Sequence, residues 1–409
     1  MSSKWLPRYM ENPYQKNPKK GAESVTKSWL ENEAEQLLKK IMNRPSSNDD
    51  LHGGAYTGGA GIAYALLRAS SSSFNHNQEE SMKYGRHILM QHLEAARKEE
   101  SNRETCYLLG SLSIYVISIL YEEKNERSKR LIDRIIEIGR LIASTDVLGD
   151  GDDELLAGRV GFLAAVITLR EHMAHKIIPD DCIGNVINKI VASGRSYASS
   201  KLFKVPLMYQ YHGRHYLGAA HGLMGILQML LCFIEFLDGQ AKSDLLETLD
   251  WIVSLQLKNG NIPPKVEEKG VDRGENELVH WCHGATGAVH LMIVAYLRTR
   301  KEKYLESADA ALNLIWQKGI LMKGPGICHG TAGSGYAFLL FHRLTNEQRY
   351  LDCARCIAKA FCSENFRRCA RTPDRPYSLF EGISGTLCFM CDLLEPDKAQ
   401  FPLVPIPFT

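Results

Sequence analysis

The tripeptide Cys-His-Gly occurs twice, in His280-Trp281-Cys282-His283-Gly284 and in Gly326-Ile327-Cys328-His329-Gly330. Thiolate sulfur and imidazole nitrogen are donors that suit zinc. The Cys-x-x-Cys and Cys-x-x-x-His spacings of zinc fingers are not used here, so the two copies can share a metal only if the fold sets them side by side. A lone buried cysteine is more often a small apolar residue than a ligand. Duplication at matching places in a repeat reverses that expectation and brings two thiols and two imidazoles into one region. A site with three protein ligands and an open fourth position is built for catalysis rather than for structure.

Two further groups fit beside such a centre. His221, in Ala219-Ala-His221-Gly222, precedes a similar glycine, and Glu154 lies four residues before Gly158 with Asp150, Asp152 and Asp153 around it. An imidazole and a carboxylate near an activated nucleophile can manage its protons. Taken singly, each also reads as an ordinary structural histidine or a solvated acidic loop. Cys353-Ala-Arg-Cys356 and Cys388-Phe-Met-Cys391 have Cys-x-x-Cys spacing but lie within helical patterns, where packing is the expected role.

The elements that must position these residues form a repeat. A Gly-x-x-Gly turn followed by an apolar helix recurs at Gly58–Gly61, Gly158–Gly161, Gly222–Gly225, Gly284–Gly287, Gly330–Gly333 and Gly382–Gly385, with a degraded copy at Gly110-Ser-Leu-Ser113. Successive turns leave room for two helices each. Amphipathic stretches such as 80–97, 128–142 and 243–257 read as outer helices, and stretches apolar on several faces, such as 62–68, 162–169 and 336–344, read as inner ones. The fold expected is all-α: a double-layered α/α toroid of seven helical hairpins, with the residues beside the turns on one rim. Glycines three apart let inner helices approach at their N-terminal ends, and helix N-termini there would favour anions. Strand patterns are nearly absent, and loops are expected at 45–50, 262–277 and 367–378.

The whole chain sets the remaining bounds. Its 409 residues are 44% hydrophobic and 23% charged, with no linker-like break, so a single domain is expected, with an N-terminal arm over 1–20 and the repeat barrel over 45–400. A net charge of +2 offers no general attraction for nucleic acid or an anionic membrane. The N-terminus has no signal-like apolar segment, and the apolar run 223–237 is interrupted by Gln228 and Glu235 and too short to span a bilayer; it reads as a buried helix. An odd number of scattered cysteines, eleven, points to a reducing, cytoplasmic setting.

From about Asn12-Pro-Tyr14 to Phe401-Pro402 the chain resembles the eukaryotic LanC-like proteins, relatives of the bacterial lanthionine synthetase C cyclases. Trp281-Cys-His-Gly284, Ile327-Cys-His-Gly330, Gly218-Ala-Ala-His-Gly222, Gly158-Arg-Val-Gly161 and Ser378-Leu-Phe-Glu-Gly382 carry the resemblance. Within the family, Tyr216–Gly222, Ile226–Leu231 and Glu275–His283 look most similar to the LanC-like 3 subtype. The resemblance implies a barrel of seven inner and seven outer helices, and zinc held by Cys282, Cys328 and His329 with His283 left unbound. It also implies His221 as an acid with Glu154 as its partner, His283 as an alternative proton donor, and Arg8, Lys323 and Arg371 as ligands of glutathione.

The function so implied is addition of a zinc-activated thiol, glutathione, to dehydroalanine or dehydrobutyrine in a peptide or protein, forming a thioether. A non-catalytic zinc- and glutathione-binding adaptor would use the same residues. Three departures bear on this. Leu278 stands where the bacterial cyclases have arginine, His283 where they usually have tyrosine, and the second repeat lacks the acid of some relatives. Cyclisation of a dedicated precursor peptide is therefore not expected. A zinc prenyltransferase or a glycosidase on a helical double barrel fits the duplicated Cys-His-Gly poorly.

Overall fold

A helix start leaves amides without partners, and a Ser, Thr, Asp or Asn side chain usually caps them. The glycine turns of this chain solve the problem with backbone. In the computed structural model, which describes residues 7–45, 48–74, 76–98, 103–122, 125–149, 152–173, 177–271 and 273–408, Gly58, Gly110, Gly158, Gly222, Gly284, Gly330 and Gly382 each cap a helix without a side-chain hydrogen bond. The preceding loop folds back so that its carbonyls accept from the first helical amides. Leu223 N–H donates to the Tyr216 carbonyl at 3.0 Å, Thr331 to Gly324 at 3.0 Å, Ile383 to Pro376 at 2.8 Å and Arg159 to Asp152 at 2.9 Å. These rim amides are therefore engaged, and the expectation that they would be open to anions does not hold.

The same close fold-back explains the second glycine. A Cβ at Gly61, Gly225, Gly287, Gly333 or Gly385 would come within 2.1–2.2 Å of the carbonyl oxygen six residues earlier, and one at Gly161 within 2.6 Å. Gly61, Gly161, Gly287 and Gly385 also press on the turn of the neighbouring repeat, against Leu379, Tyr107, Ala219 and Ile327 respectively. In the second repeat Ser113 replaces this glycine. Its hydroxyl donates to the Gly110 carbonyl and accepts from Ala55 N–H, both at 3.0 Å, so the helix still starts in register.

Numbered in chain order, the inner helices are α3 (Gly59–Ser71), α5 (Ser111–Tyr121), α7 (Arg159–His172), α9 (Leu223–Cys232), α11 (Ala285–Thr299), α13 (Thr331–Thr345) and α16 (Ile383–Leu394). Around them lie α2 (Lys27–Met42), α4 (Gln78–Lys98), α6 (Glu126–Ser144), α8 (Asp180–Ser200), α10 (Gly239–Ser254), α12 (Glu302–Lys318) and α14 (Gln348–Cys362), with short helices α1 (Pro18–Ala22) and α15 (Glu364–Cys369). Each inner helix packs on the next, and α16 packs on α3, so the ring closes. Six inner helices pair with the outer helix that follows them. The seventh, α16, is covered by α2, which lies ahead of the first glycine turn in the chain.

This is the all-α toroid expected, with no strand among the described residues and only isolated bridges. Burial follows the pattern of the two layers. Every residue of α5 and α9 is buried, whereas α6 buries Ser128, Ile135, Ile138, Gly139 and Ile142, a single stripe. Two boundaries differ from expectation. The run 223–237 is not one helix: α9 stops at Cys232, whose carbonyl accepts from Arg298, and a 3₁₀ turn follows that exposes Glu235. The loop expected at 367–378 begins as α15, because the Ser363 hydroxyl caps it through Phe366 N–H.

The barrel interior is filled by the C-terminal tail. Phe401 is fully buried with its ring 5.1 Å from Trp281, 4.8 Å from His290 and 5.3 Å from Tyr336, and Thr168 of α7 reaches the Leu403 carbonyl. The Gln400 side chain ties the tail into a loop, donating to the Ile406 carbonyl and accepting from its N–H.

Candidate metal centre and its surroundings

Two residues ahead of each capping glycine the chain bends onto the rim, and there backbone hydrogen bonds join neighbouring repeats. Tyr56 N–H donates to the Leu108 carbonyl (2.8 Å), Leu108 to Leu156 (3.0 Å), Leu155 to Ala220 (3.3 Å), Trp281 to Cys328 (3.0 Å), Cys328 to Phe380 (2.8 Å) and Phe380 to Tyr56 (3.2 Å). At the junction between the fourth and fifth turns Gly218 lies against the Cys282 carbonyl instead, where a Cβ would come within 1.8 Å. Residues of this register thus face one another around a stitched ring, and Cys282, Cys328 and Tyr56 all belong to it.

The ligand atoms of Cys282, Cys328 and His329 lie within 4.8 Å of one another, the only such His/Cys/Asp/Glu group found among the described residues. Tetrahedral zinc, with bonds of about 2.3 Å to sulfur and about 2.0 Å to nitrogen, holds its ligands at comparable separations. Two sulfurs and a nitrogen are its preferred donors, so the group fits. Cys282 and Cys328 are 8% and 1% exposed. Burial drives the Cys328 thiol far above its ordinary pKa, and neighbouring Cys282 adds to this. Burial opposes the charged form of His329, but its contacts with Cys328 outweigh that and raise its pKa.

Tyr56 completes the cluster from the opposite end of the sequence, its hydroxyl donating to Cys328 Sγ at 2.8 Å. Its ring stacks on Phe380 at 4.8 Å, and Phe380 in turn lies 5.6 Å from Trp281. Sequence reasoning missed this tyrosine. Its position two before Gly58, matching Cys282 before Gly284 and Cys328 before Gly330, is the signal that would have found it.

The other expected residues gather on the same rim. His221 Nδ1 is 2.9 Å from Glu154 Oε2, and Glu154, 2% exposed, also accepts from the N–H groups of Leu156 and Ala157. The ring of Tyr211 stacks on His221 at 4.2 Å and fixes its plane. Of the surrounding acids, Asp153 is buried against Arg159 and Ser193 and has a structural role, Asp152 caps Leu148 N–H, and Asp150 lies outside the described residues. His283 lies 5.3 Å from Tyr216, its Nδ1 buried without a hydrogen bond. Burial, helped by His221 and Lys323, pulls its pKa down to about 4.

The backbone at the three cationic positions comes together around Met322. Met322 N–H donates to the Arg8 carbonyl at 2.9 Å, its carbonyl accepts from Arg371 N–H at 2.8 Å, and Lys323 is next in the chain. Arg8 Nε is buried without an acceptor among the described residues. Lys323 is also close enough to the rim for its charge to lower the pKa values of His280 and His283. The Cys-x-x-Cys pairs stay in the packing: Cys388 and Cys391 are fully buried in α16, and Cys356 of α14 donates to the Pro18 carbonyl.

Residues 49–406 match the model of the lanthionine synthetase C-like protein family. The chain belongs to this LanC-like family. It is 31% identical over 380 residues to a Danio rerio protein named glutathione S-transferase LANCL1, across 90% of this chain and 88% of the relative. Nisin cyclase shares the fold, with a TM-score of 0.65 at 18% identity over 90% of this chain and 93% of the cyclase. No described helix of this LanC-like chain is long and apolar enough to cross a membrane.

Proposed function

We propose that this protein adds glutathione to dehydroalanine or dehydrobutyrine residues of peptides or proteins, with zinc held by Cys282, Cys328 and His329. The observation that carries the reading is the convergence of these three ligand atoms within 4.8 Å on the rim that also bears His221, Glu154 and the Arg8, Lys323 and Arg371 cluster. Zinc, when bound, would hold a thiol as its thiolate at a pH where a free thiol, with pKa about 8.5, is mostly protonated. The likeness to a protein named as a glutathione S-transferase and the fold shared with a cyclase support the same class of chemistry.

Each residue then has a defined task. Guanidinium and ammonium groups at Arg8, Lys323 and Arg371 pair with the two carboxylates of glutathione and aim its sulfur at the rim. The thiol loses its proton to solvent, its sulfur bonds to the β-carbon as the alkene π bond breaks, and the electron pair so placed on the α-carbon takes a proton. His221 delivers it from Nε2, because Glu154 holds Nδ1 and Tyr211 holds the plane of the ring. His283 has no such partner and serves to wall the site beside Tyr216. The resemblance to the LanC-like 3 subtype belongs with this reading, as does a reducing, cytoplasmic setting, in which eleven free thiols are stable.

The test is mass spectrometry of a dehydroalanine peptide incubated with glutathione and zinc-loaded protein. The expected product is the glutathione adduct, formed faster than in buffer, with the rate returning to the buffer value in Cys328→Ala. No acceleration by protein shown to carry one zinc per chain would reject catalysis and leave a binding protein.

A further inference from the structure

The inner helices point their C-terminal ends away from the thiol cluster, and at that far end they surround a cavity of about 560 Å³. Arg68 of α3, Arg170 of α7 and Arg343 of α13 reach into it, Glu171 is the carboxylate lining it, and Gln400 and Leu403 of the C-terminal tail form its inner wall. Helices of this length hold the cavity roughly 20 Å from the metal rim. Its volume is that of a small-molecule site, about 300–1,000 Å³.

Cations in the last turn of a helix complement the helix dipole, which accounts for one basic residue at each end. It does not account for how these three are left. Arg68 is paired with Asp392. Arg343 donates to the Ala399 carbonyl at 2.8 Å and stacks on Phe408, and no carboxylate lies within ion-pairing distance of it among the described residues. Arg170 lies 5.1 Å over the Phe233 ring, and its buried Nη2 makes no hydrogen bond, only a 3.7 Å ion pair with Asp180. Burial lowers the pKa of Arg343, the sign of a desolvated charge, and lifts that of Glu171 to about 7, so this acid is only partly ionised at neutral pH. Glu171 is held by the Gln400 amide at 2.6 Å rather than by an arginine. Arg170 has only a long ion pair and Arg343 only the more distant charges of Glu171 and Asp392 to balance it; guanidinium groups so placed in a recess gain from a further acceptor, and their planar forks match phosphate and carboxylate.

We infer that this cavity is a second binding site, for a small molecule bearing phosphate or carboxylate groups, held by Arg170 and Arg343 with the tail as its floor. The site is separate from the rim chemistry and does not rest on the proposed reaction. Gln400 faces the cavity while adjacent Phe401 stacks on Trp281, so the tail runs from this cavity to a residue beside Cys282 in the chain.

Isothermal titration of the full chain with pyrophosphate and, separately, citrate, at about 150 mM salt, tests this. At least one should bind saturably, and Arg170→Gln and Arg343→Gln should each weaken binding about tenfold or more while Arg371→Gln, on the opposite rim, leaves it unchanged. Pyrophosphate alone binding would mark a phosphate site and citrate alone a carboxylate site. Arg170→Gln, remote from the tail, guards against loss of folding in Arg343→Gln, and thermal melting confirms both variants. The inference falls if neither probe gives saturable heat, if both variants bind as the parent does, or if Arg371→Gln abolishes the binding.

Discussion

Cys282 and Cys328 share a register position, yet their neighbours divide the work. His329 turns into the cluster, whereas His283, the same position in the other copy, faces Tyr216. Removing a ligand should therefore differ sharply from removing its sequence twin: Cys282→Ala is expected to lose tight zinc binding, and His283→Ala to keep about one zinc per chain, as metal analysis after gel filtration would show. Tyr56→Phe removes only the hydrogen bond to Cys328 Sγ. A lost hydrogen bond to a metal ligand costs about 10- to 100-fold in affinity, and competition with a chelator should place Tyr56→Phe in that range. Zinc affinity unchanged in Tyr56→Phe would reduce this contact to packing.

At the scale of the elements, the glycine turns and the metal site depend on the same backbone. Gly287 opens α11, the helix that follows Cys282, and a Cβ there would meet the Trp281 carbonyl at 2.2 Å. Relief requires moving either α11 or the strip of chain carrying Cys282, so Gly287→Ala should lose roughly 3 kcal/mol or more and weaken zinc binding with it. At Gly239, at the start of α10, a Cβ meets nothing within 4 Å, and Gly239→Ala should change the denaturation midpoint little or raise it. Equal effects at the two sites would dissociate the turns from the metal centre.

The repeat that carries these turns was readable because its cause is local: each copy needs glycine where its own loop carbonyl closes on the helix start. Cys282, Cys328, His221 and Glu154 were readable for the same reason, being fixed at set offsets from that glycine. Tyr56 was not, since its partner lies 272 positions away and a tyrosine near a turn has no distinctive chemistry. Nor was the tail: Phe401 is one aromatic residue among prolines, and its place inside the barrel depends on a void that exists only once seven helices stand in a ring. The pairing of α2 with α16 is equally non-local.

For the molecule as a whole, acid should act on its buried imidazoles. His92 has both ring nitrogens buried without hydrogen bonds, and His290 sits against Phe401 in the barrel core. Burial pulls the first down to about 4 and the second to about 3. An unfolded chain takes up these protons near pH 6.5, the folded chain only well below it, so stability falls as pH drops through that window and returns as pH rises. Each residue can contribute on the order of 3 kcal/mol by pH 4. Urea midpoints of Cys328→Ala, used to remove the metal's own pH dependence, should fall between pH 7 and 4.5, and adding His92→Leu should flatten the fall. An unchanged slope would mean that His92 is hydrated in solution.

The closure of the ring by α2 and α16 also has a consequence during synthesis. The stripe of Leu30, Ala34, Leu38 and Ile41 on α2 is made before all seven inner helices, and of these the one that covers it, α16, is made after the other six. At about 5–20 residues per second on the ribosome, that surface waits on the order of tens of seconds for its partner. The nascent protein thus carries an uncovered apolar helix for as long as the ribosome takes to make the chain between α2 and α16, an exposure that favours transient non-native contacts until the ring closes.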